Sequence, residues 1–214
     1  MSSLGVYSEH GLFLCFEGGE GAGKSTQAKL LREWLEAQGR DVLLTFEPGD
    51  TAVGQKIRQI VLSPETGHLA DATEALLYAA DKSEHLDKVV RPALAAGSVV
   101  ITDRYVDSTL AYQGAGRSIP PAELEHVARW ATGDLRPHLT VLLDLEPSAG
   151  LTRVDELAAE RDRIEGEPLE FHQRVRAAFL ELAGRDPEHY LVLDARADIE
   201  TIATAIRDRV GSLL

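Results

Sequence analysis

The 214-residue sequence predicts an α/β fold in which a central parallel sheet of five strands lies between two layers of helices. Three observations predict it. Short apolar runs alternate with longer stretches of helical periodicity. The runs are continuously apolar rather than alternating, the pattern of strands covered on both faces. A glycine-rich loop joins the first run to the first helical stretch.

In chain order, the first strand is expected at 12–16, within LFLCFE. A helix follows at 24–38, with apolar or small residues at 28, 30, 31, 34 and 35 and a closing Gly39. VLLTF at 42–46 is the second strand, followed by helices at 51–62 and 72–95. SVVIT at 98–102 is the third strand, with a helix at 121–131 beyond it. TVLLDL at 140–145 is the fourth, before helices at 147–160 and 168–184. YLVL at 190–193 is the fifth, and a helix at 197–211 closes the chain. No repeat, low-complexity tract or linker interrupts this order, so residues 12–214 are expected to form one domain. MSSLGVYSEHG, residues 1–11, is expected as a flexible tail; it lacks the basic start and apolar centre of a secretory signal. In a sheet of this kind ligands sit outside the carboxyl ends of the strands.

Hydrophobic residues make up 44% of the chain and charged residues 27%, proportions of an ordinary soluble globular protein. No apolar run approaches the roughly 18 to 20 residues of a membrane span. The net charge of −13 argues against nucleic-acid and anionic-membrane partners, whose phosphates need basic surface. The single cysteine, Cys15, cannot form an internal disulfide and reads as a small buried residue of the first strand. A cytoplasmic location fits these features. If the chain binds phosphates, its positive charges must act locally.

EGGEGAGKST, residues 17–26, has the spacing of a phosphate-binding loop. Glycine loses the most conformational freedom on folding, so this concentration points to a need for bare backbone. Amides from Gly18, Gly19, Glu20, Gly21, Ala22 and Gly23 would wrap the phosphates of a nucleoside triphosphate, with the helix N-terminus behind them. Lys24 would reach the outer phosphates, and Ser25, followed by Thr26, would place its hydroxyl on Mg2+. Strand, glycine loop and helix in succession are the context this motif requires, and they make the expected architecture a P-loop NTPase fold.

A second constellation lies in SVVITDRYVDSTLAYQGAGR, residues 98–117. Asp103 ends a buried strand where a magnesium-side carboxylate is expected. Arg104 offers a bidentate fork for phosphate. The hydroxyls, amide, tyrosine and glycines that follow have the character of a pocket lining.

With FEGGEGAGKST, EPG at 47–49, LLYAADKSEH at 76–85, DRYVDSTLAYQGAGR at 103–117 and DRIE at 162–165, the sequence resembles the bacterial thymidylate kinases of the nucleoside monophosphate kinase family, from about residue 12 to 184. The resemblance implies transfer of the γ-phosphoryl group of ATP to dTMP, Mg2+ as cofactor, a homodimer, and a mobile lid around 150–166. It places Glu20 near the acceptor sugar and the reacting phosphates, and Arg58 and Arg104 on the acceptor side. Glu47 of the EPG motif falls on that side too. Tyr78 takes the place of a ring that stacks on thymine, Thr109 and Gln113 of residues that read the base edge, and Tyr112 of one that closes over the deoxyribose. Arg153, Arg161 and Arg163 fall in the lid, with Arg161 and Arg163 implied to supply catalytic charge. Three departures stand out. TREPGG of the family reads TFEPGD, so Phe46 replaces an arginine; Lys82 stands for an arginine that meets the base; and VDELAAE lacks the further lid arginines of some relatives. Two rivals stay open on sequence: a kinase for another pyrimidine nucleoside monophosphate, and a nucleotide-binding regulator without catalysis. The intact Lys24, Asp103 and Arg104 speak against the second.

Overall fold

A computed structural model describes residues 5–157 and 160–214. Its sheet contains β1 (Phe13–Glu17), β2 (Val42–Phe46), β3 (Val99–Asp103), β4 (Leu139–Asp144) and β5 (Tyr190–Asp194). All neighbours are parallel, in the order β2-β3-β1-β4-β5. Each lies within a residue of its expected position at either end. The chain fills one side of β1 first and then the other, so a crevice opens beyond the carboxyl ends of β1 and β3.

The reason for the continuous apolar runs is visible on β1. Leu14 and Phe16 pack with Leu31 and Leu35 of α1 (Lys24–Glu36) and Ile202 and Ile206 of α9 (Ile199–Gly211). Phe13 and Cys15 face the other way, onto Leu86, Val90 and Leu94. A third cluster joins Tyr112 to Phe171, Val175 and Phe179 of α8 (Leu169–Arg185).

The helix expected at 72–95 forms as one rod of α3 (Asp71–His85), a wide π-type turn at Leu86–Val90, and α4 (Arg91–Ala95). Pro92 explains the wide turn, because its ring crowds the preceding carbonyls and it has no N–H to donate. α2 (Ala52–Leu62) starts where the Thr51 hydroxyl accepts Gly54 N–H at 2.8 Å. α6 (Pro121–Thr132) and α7 (Pro147–Leu157) complete the expected set. Besides a single 3-10 turn at Pro64–Thr66, one helical stretch was not expected: α5 (Val106–Thr109) runs on into wide turns over Leu110–Gly116. Its β-branched residues and glycines are poor helix formers, and tertiary contacts hold it instead.

Residues 1–4 of the expected tail, and Ala158 and Ala159 of the expected lid, lie outside the described residues. Residues 5–11 make specific contacts: Val6 N–H donates to Asp134 O at 2.9 Å, and Val6 O accepts from Arg136 N–H at 2.7 Å. The Tyr7 ring stacks on His189. No described helix is long and apolar enough to cross a membrane.

Candidate active site

The glycine loop leaves β1 with Gly18 at φ 139°, Gly21 at 63° and Gly23 at 90°, all in the region side chains avoid. A Cβ on Gly18 would lie 2.4 Å from Leu143 O, and one on Gly21 2.4 Å from Gly150 O. The loop is thus pressed against β4 and α7, and only bare backbone fits. No side chain caps α1, which leaves its first N–H groups facing the cleft. Lys24 curls across the loop and donates to Gly18 O at 3.0 Å and Gly19 O at 2.8 Å. Burial and the neighbouring Arg104 charge lower its pKa. Ser25 Oγ donates to Asp103 Oδ2 at 2.5 Å. Thr26 lines the same cleft, a cavity of about 580 Å³.

Arg104 has φ 74°, a left-handed conformation that costs on the order of 1–3 kcal/mol unless its surroundings enforce it. Its guanidinium donates to Glu20 Oε1 at 2.9 Å, and to Gly18 O and Ser108 Oγ at 3.2 Å. It also lies 5.0 Å from the centre of the Tyr112 ring. Tyr112 O–H donates to the same Glu20 oxygen at 2.6 Å. Burial acts to raise the Glu20 pKa, but Arg104 and Lys24 outweigh it and hold the group at about 2. Glu20 is therefore a fixed anion that aims Arg104.

A second cavity, of about 170 Å³, opens beyond Arg104 and is lined by Tyr78, Lys82, Thr109, Tyr112 and Gln113, among others. Thr109 Oγ1 is buried there without a partner, a polar atom left for a ligand. Lys82 Nζ sits 3.0 Å from Glu47 Oε2, and His85 Nδ1 is 2.8 Å from Glu47 Oε1. Burial favours protonation of Glu47, but Lys82 and His85 prevail and lower its pKa. His85 Nε2 lies 2.6 Å from the Thr45 hydroxyl, which in turn donates to Asp50. Gln113 Nε2 donates to Glu74 Oε1 at 2.9 Å, which turns its carbonyl away from that carboxylate. Arg58 donates to Pro48 O at 2.8 Å and stands over the Phe46 ring. Phe46 is 41% exposed and lines the loop cleft, so it faces the site and not the core. Glu20, Glu47, Arg58 and Arg104 belong to the walls of both cavities.

The three arginines expected in a lid are not brought to this junction. Arg153 lies behind the loop, donating to Gly21 O at 3.2 Å and Ala195 O at 3.4 Å. Arg161 makes a two-point pair with Asp155 at the surface, both bonds 2.7 Å. Arg163 is half-buried, donating to Glu74 Oε2 at 2.5 Å and to Val61 O at 2.8 Å. The neighbouring Asp162, Ile164 and Glu165 line the smaller cavity.

Asp162 and Glu165 in this wall were not singled out from sequence, nor were two supporting carboxylates behind the cavities, Glu74 and Glu17. Glu74 holds Gln113, Arg117 and Arg163 together; its place four and eight residues before Tyr78 and Lys82 puts all three on one helix face, a legible signal. Glu17 carries no such signal beyond being an acid at a strand end. Among the described residues no cluster of three or more His, Cys, Asp or Glu side chains could hold a metal. Ser25 and Asp103 offer adjacent hard oxygen donors, which suits a small divalent ion held chiefly by phosphates and water.

A thymidylate kinase family model matches residues 16–206. The chain is 53% identical over 204 residues to a thymidylate kinase of Cutibacterium acnes, covering 95% of this chain and 98% of the relative. It is 46% identical over 206 residues to a thymidylate kinase of Bifidobacterium longum, covering 95% and 98%. The crystal structure of thymidylate kinase from Ehrlichia chaffeensis superposes with a TM-score of 0.77 at 29% identity, covering 94% of this chain and 98% of that one.

Proposed function

This chain belongs to the thymidylate kinase family, and from that premise we propose how its residues transfer the γ-phosphoryl group of ATP to dTMP, giving ADP and dTDP. The observation that carries the reading is the junction of the two cavities at Glu20, Arg58 and Arg104. A donor bound by the glycine loop and an acceptor seated against Tyr78 would bring their phosphates together at those side chains.

Loop amides from Gly18 to Lys24 and the Lys24 ammonium hold the donor phosphates, the lysine exchanging its carbonyl partners for phosphate oxygens. Arg104 and Arg58 hold the acceptor monophosphate. One of its oxygens forms the new bond to the γ-phosphorus as the bond to the β–γ bridging oxygen breaks. The transition state is loose, so placement and positive charge carry the rate. The attacking oxygen belongs to a phosphate of low pKa, and no strong base is needed. Glu20 stays ionised and fixes Arg104. Ser25 and Asp103 are the residues that fit Mg2+, which when bound neutralises phosphate charge. Thr109, Gln113 and Lys82 read the base edge, and Tyr112 closes over the sugar. Arg161 swings from Asp155 to the transferring group when the lid, around residues 150–166 of a single kinase domain, closes. A cytoplasmic homodimer completes the reading.

A coupled assay with ATP and a panel of pyrimidine monophosphates tests it. The expected outcome is turnover with dTMP well above that with dUMP, dCMP or UMP. Preference for another acceptor, or binding without turnover, overturns the reading.

A further inference from the structure

We propose that Glu17, which touches neither cavity, is a positioning residue for the acceptor phosphate, because it fixes the turn that aims Arg104. This rests on the reading of Arg104 as an acceptor-phosphate residue.

Glu17 is the last residue of β1 and is fully buried. Its Oε1 accepts Tyr105 N–H at 2.8 Å and Ser108 N–H at 3.1 Å, and its Oε2 accepts Ser108 O–H at 2.7 Å. The first donor lies in the turn that follows β3, and the other two belong to Ser108 of α5 directly after it. Arg104, just before them, holds a φ of 74° that persists only if neighbouring groups enforce it. Its N–H donates to Phe16 O at 2.9 Å, and its carbonyl accepts Thr102 O–H at 2.9 Å. The next N–H, that of Tyr105, goes to Glu17. The peptides on both sides of the strained residue are therefore pinned, one of them by a carboxylate.

Glu17 also reaches the far end of the same side chain. Ser108 Oγ gives its proton to Glu17 and accepts from Arg104 Nη1 at 3.2 Å. One buried carboxylate thus holds the backbone of Arg104 directly and its guanidinium through a single hydroxyl. Stability alone gives no reason for the charge. Burial and nearby Asp107 push the Glu17 pKa up to about 7, against the opposing pull of Arg104, Ser108 and Tyr105. A buried carboxylate beside a second acid is a poor choice for packing, whereas its bonds to Tyr105 and Ser108 suit it to holding Arg104 in place.

The test is steady-state kinetics on the full chain carrying Glu17→Gln, Ser108→Ala, Arg104→Lys, and Glu17→Gln with Arg104→Lys. Glu17→Gln keeps the shape and an acceptor for the two N–H groups but removes the charge. It is expected to raise the dTMP KM about tenfold while the ATP KM stays within about twofold, the range expected when one charge-assisted contact is weakened. Ser108→Ala should move the dTMP KM in the same direction with an unchanged melting temperature. In the Arg104→Lys background Glu17→Gln should add less than about twofold, since the two act as one unit. An additive loss, or equal rises in both KM values with a lowered melting temperature, would mark Glu17 as merely structural and overturn the proposal. If Glu17→Gln fails to fold, Ser108→Ala decides, and an unchanged dTMP KM there overturns it. If Arg104→Lys leaves dTMP kinetics unchanged, the underlying reading of Arg104 fails, and this proposal falls with it.

Discussion

Lys24 spends two of its N–H donors at home, on Gly18 O and Gly19 O, until a ligand takes over. Lys24→Ala is expected to lower kcat by about 10² or more, since a charge aimed at developing phosphate charge supplies factors of that size. The buried carbonyls it leaves behind should cost about 1 kcal/mol of stability. Turnover within threefold of the parent would remove the lysine from the donor site. Glu20 gives a pH test. Its pKa lies at about 2 against the usual 4.5, so its stabilising effect is complete above the unfolded value and is lost as pH falls through the folded one. Chemical denaturation should find Glu20→Gln less stable than the parent at pH 7 by up to roughly 3 kcal/mol, the gap narrowing between pH 4.5 and 2. A gap independent of pH would assign the loss to packing. Phe46 stands in the loop cleft beneath the Arg58 guanidinium, 5.8 Å from ring centre to charge. Phe46→Arg adds a phosphate fork beside Arg58 but also a like charge. A fall in the dTMP KM of about two- to tenfold is expected, with a melting temperature close to the parent's, because the ring is not in the core. Unchanged dTMP kinetics would show that residue 46 does not reach the acceptor.

At the scale of elements, the strands were legible because the three central ones have apolar layers on both faces and the edge strands keep the same apolar runs, and α1 because its buried Leu31 and Leu35 repeat at helical spacing. The stretch 106–116 was read for its chemistry and not for its shape. Its glycines and β-branched residues give no local helix signal, and its order comes from Glu17 at its start and Phe171 and Phe179 along its side. Arg104 was singled out because an arginine at a strand end offers a fork for phosphate, whereas Tyr112 and Lys82 were named through the family resemblance; all three line the smaller cavity. The supporting carboxylates were not legible, since their partners are distant in sequence. The segment expected as a lid shows the limit most clearly. Two arginines two residues apart look equivalent on paper, yet Arg161 pairs at the surface while Arg163 ties the segment to Glu74 of α3 and Val61 of α2. Their variants should therefore differ. Arg161→Ala is expected to lower kcat with little change in either KM, as for a charge that arrives only on closure. Arg163→Ala should instead lower the melting temperature and raise the dTMP KM by loosening the wall formed by Asp162 and Ile164. Identical kinetic profiles for the two would refute this division.

Across the whole molecule, a net charge of −13 coexists with a site for two anionic nucleotides. The conflict is resolved by placement: Arg58 and Arg104 stand at the junction of the cavities with Lys24 in the loop cleft beside it, while Glu20 orients Arg104 and Glu47 orients Lys82. The remaining acids give the outer surface its charge, which favours solubility over non-specific binding to polyanions. Against that polar exterior, α2 and α3 present exposed Val53, Ile60 and Leu76. These helices pack on each other, and their other faces carry Arg58, Tyr78 and Lys82 into the acceptor cavity. Apolar side chains exposed on the backs of site-bearing helices suit a second copy of the chain, which would bury them and stiffen the acceptor wall at once. The expected native mass is therefore twice the 23.3 kDa of one chain. Leu76→Glu together with Ile60→Glu should shift the equilibrium to monomer in analytical ultracentrifugation. The dTMP KM should rise in that variant more than the ATP KM, because the glycine loop and α1 lie on other elements. A parent that sediments as a monomer at micromolar concentration would defeat the expectation, and so would a monomeric variant with unaltered dTMP kinetics.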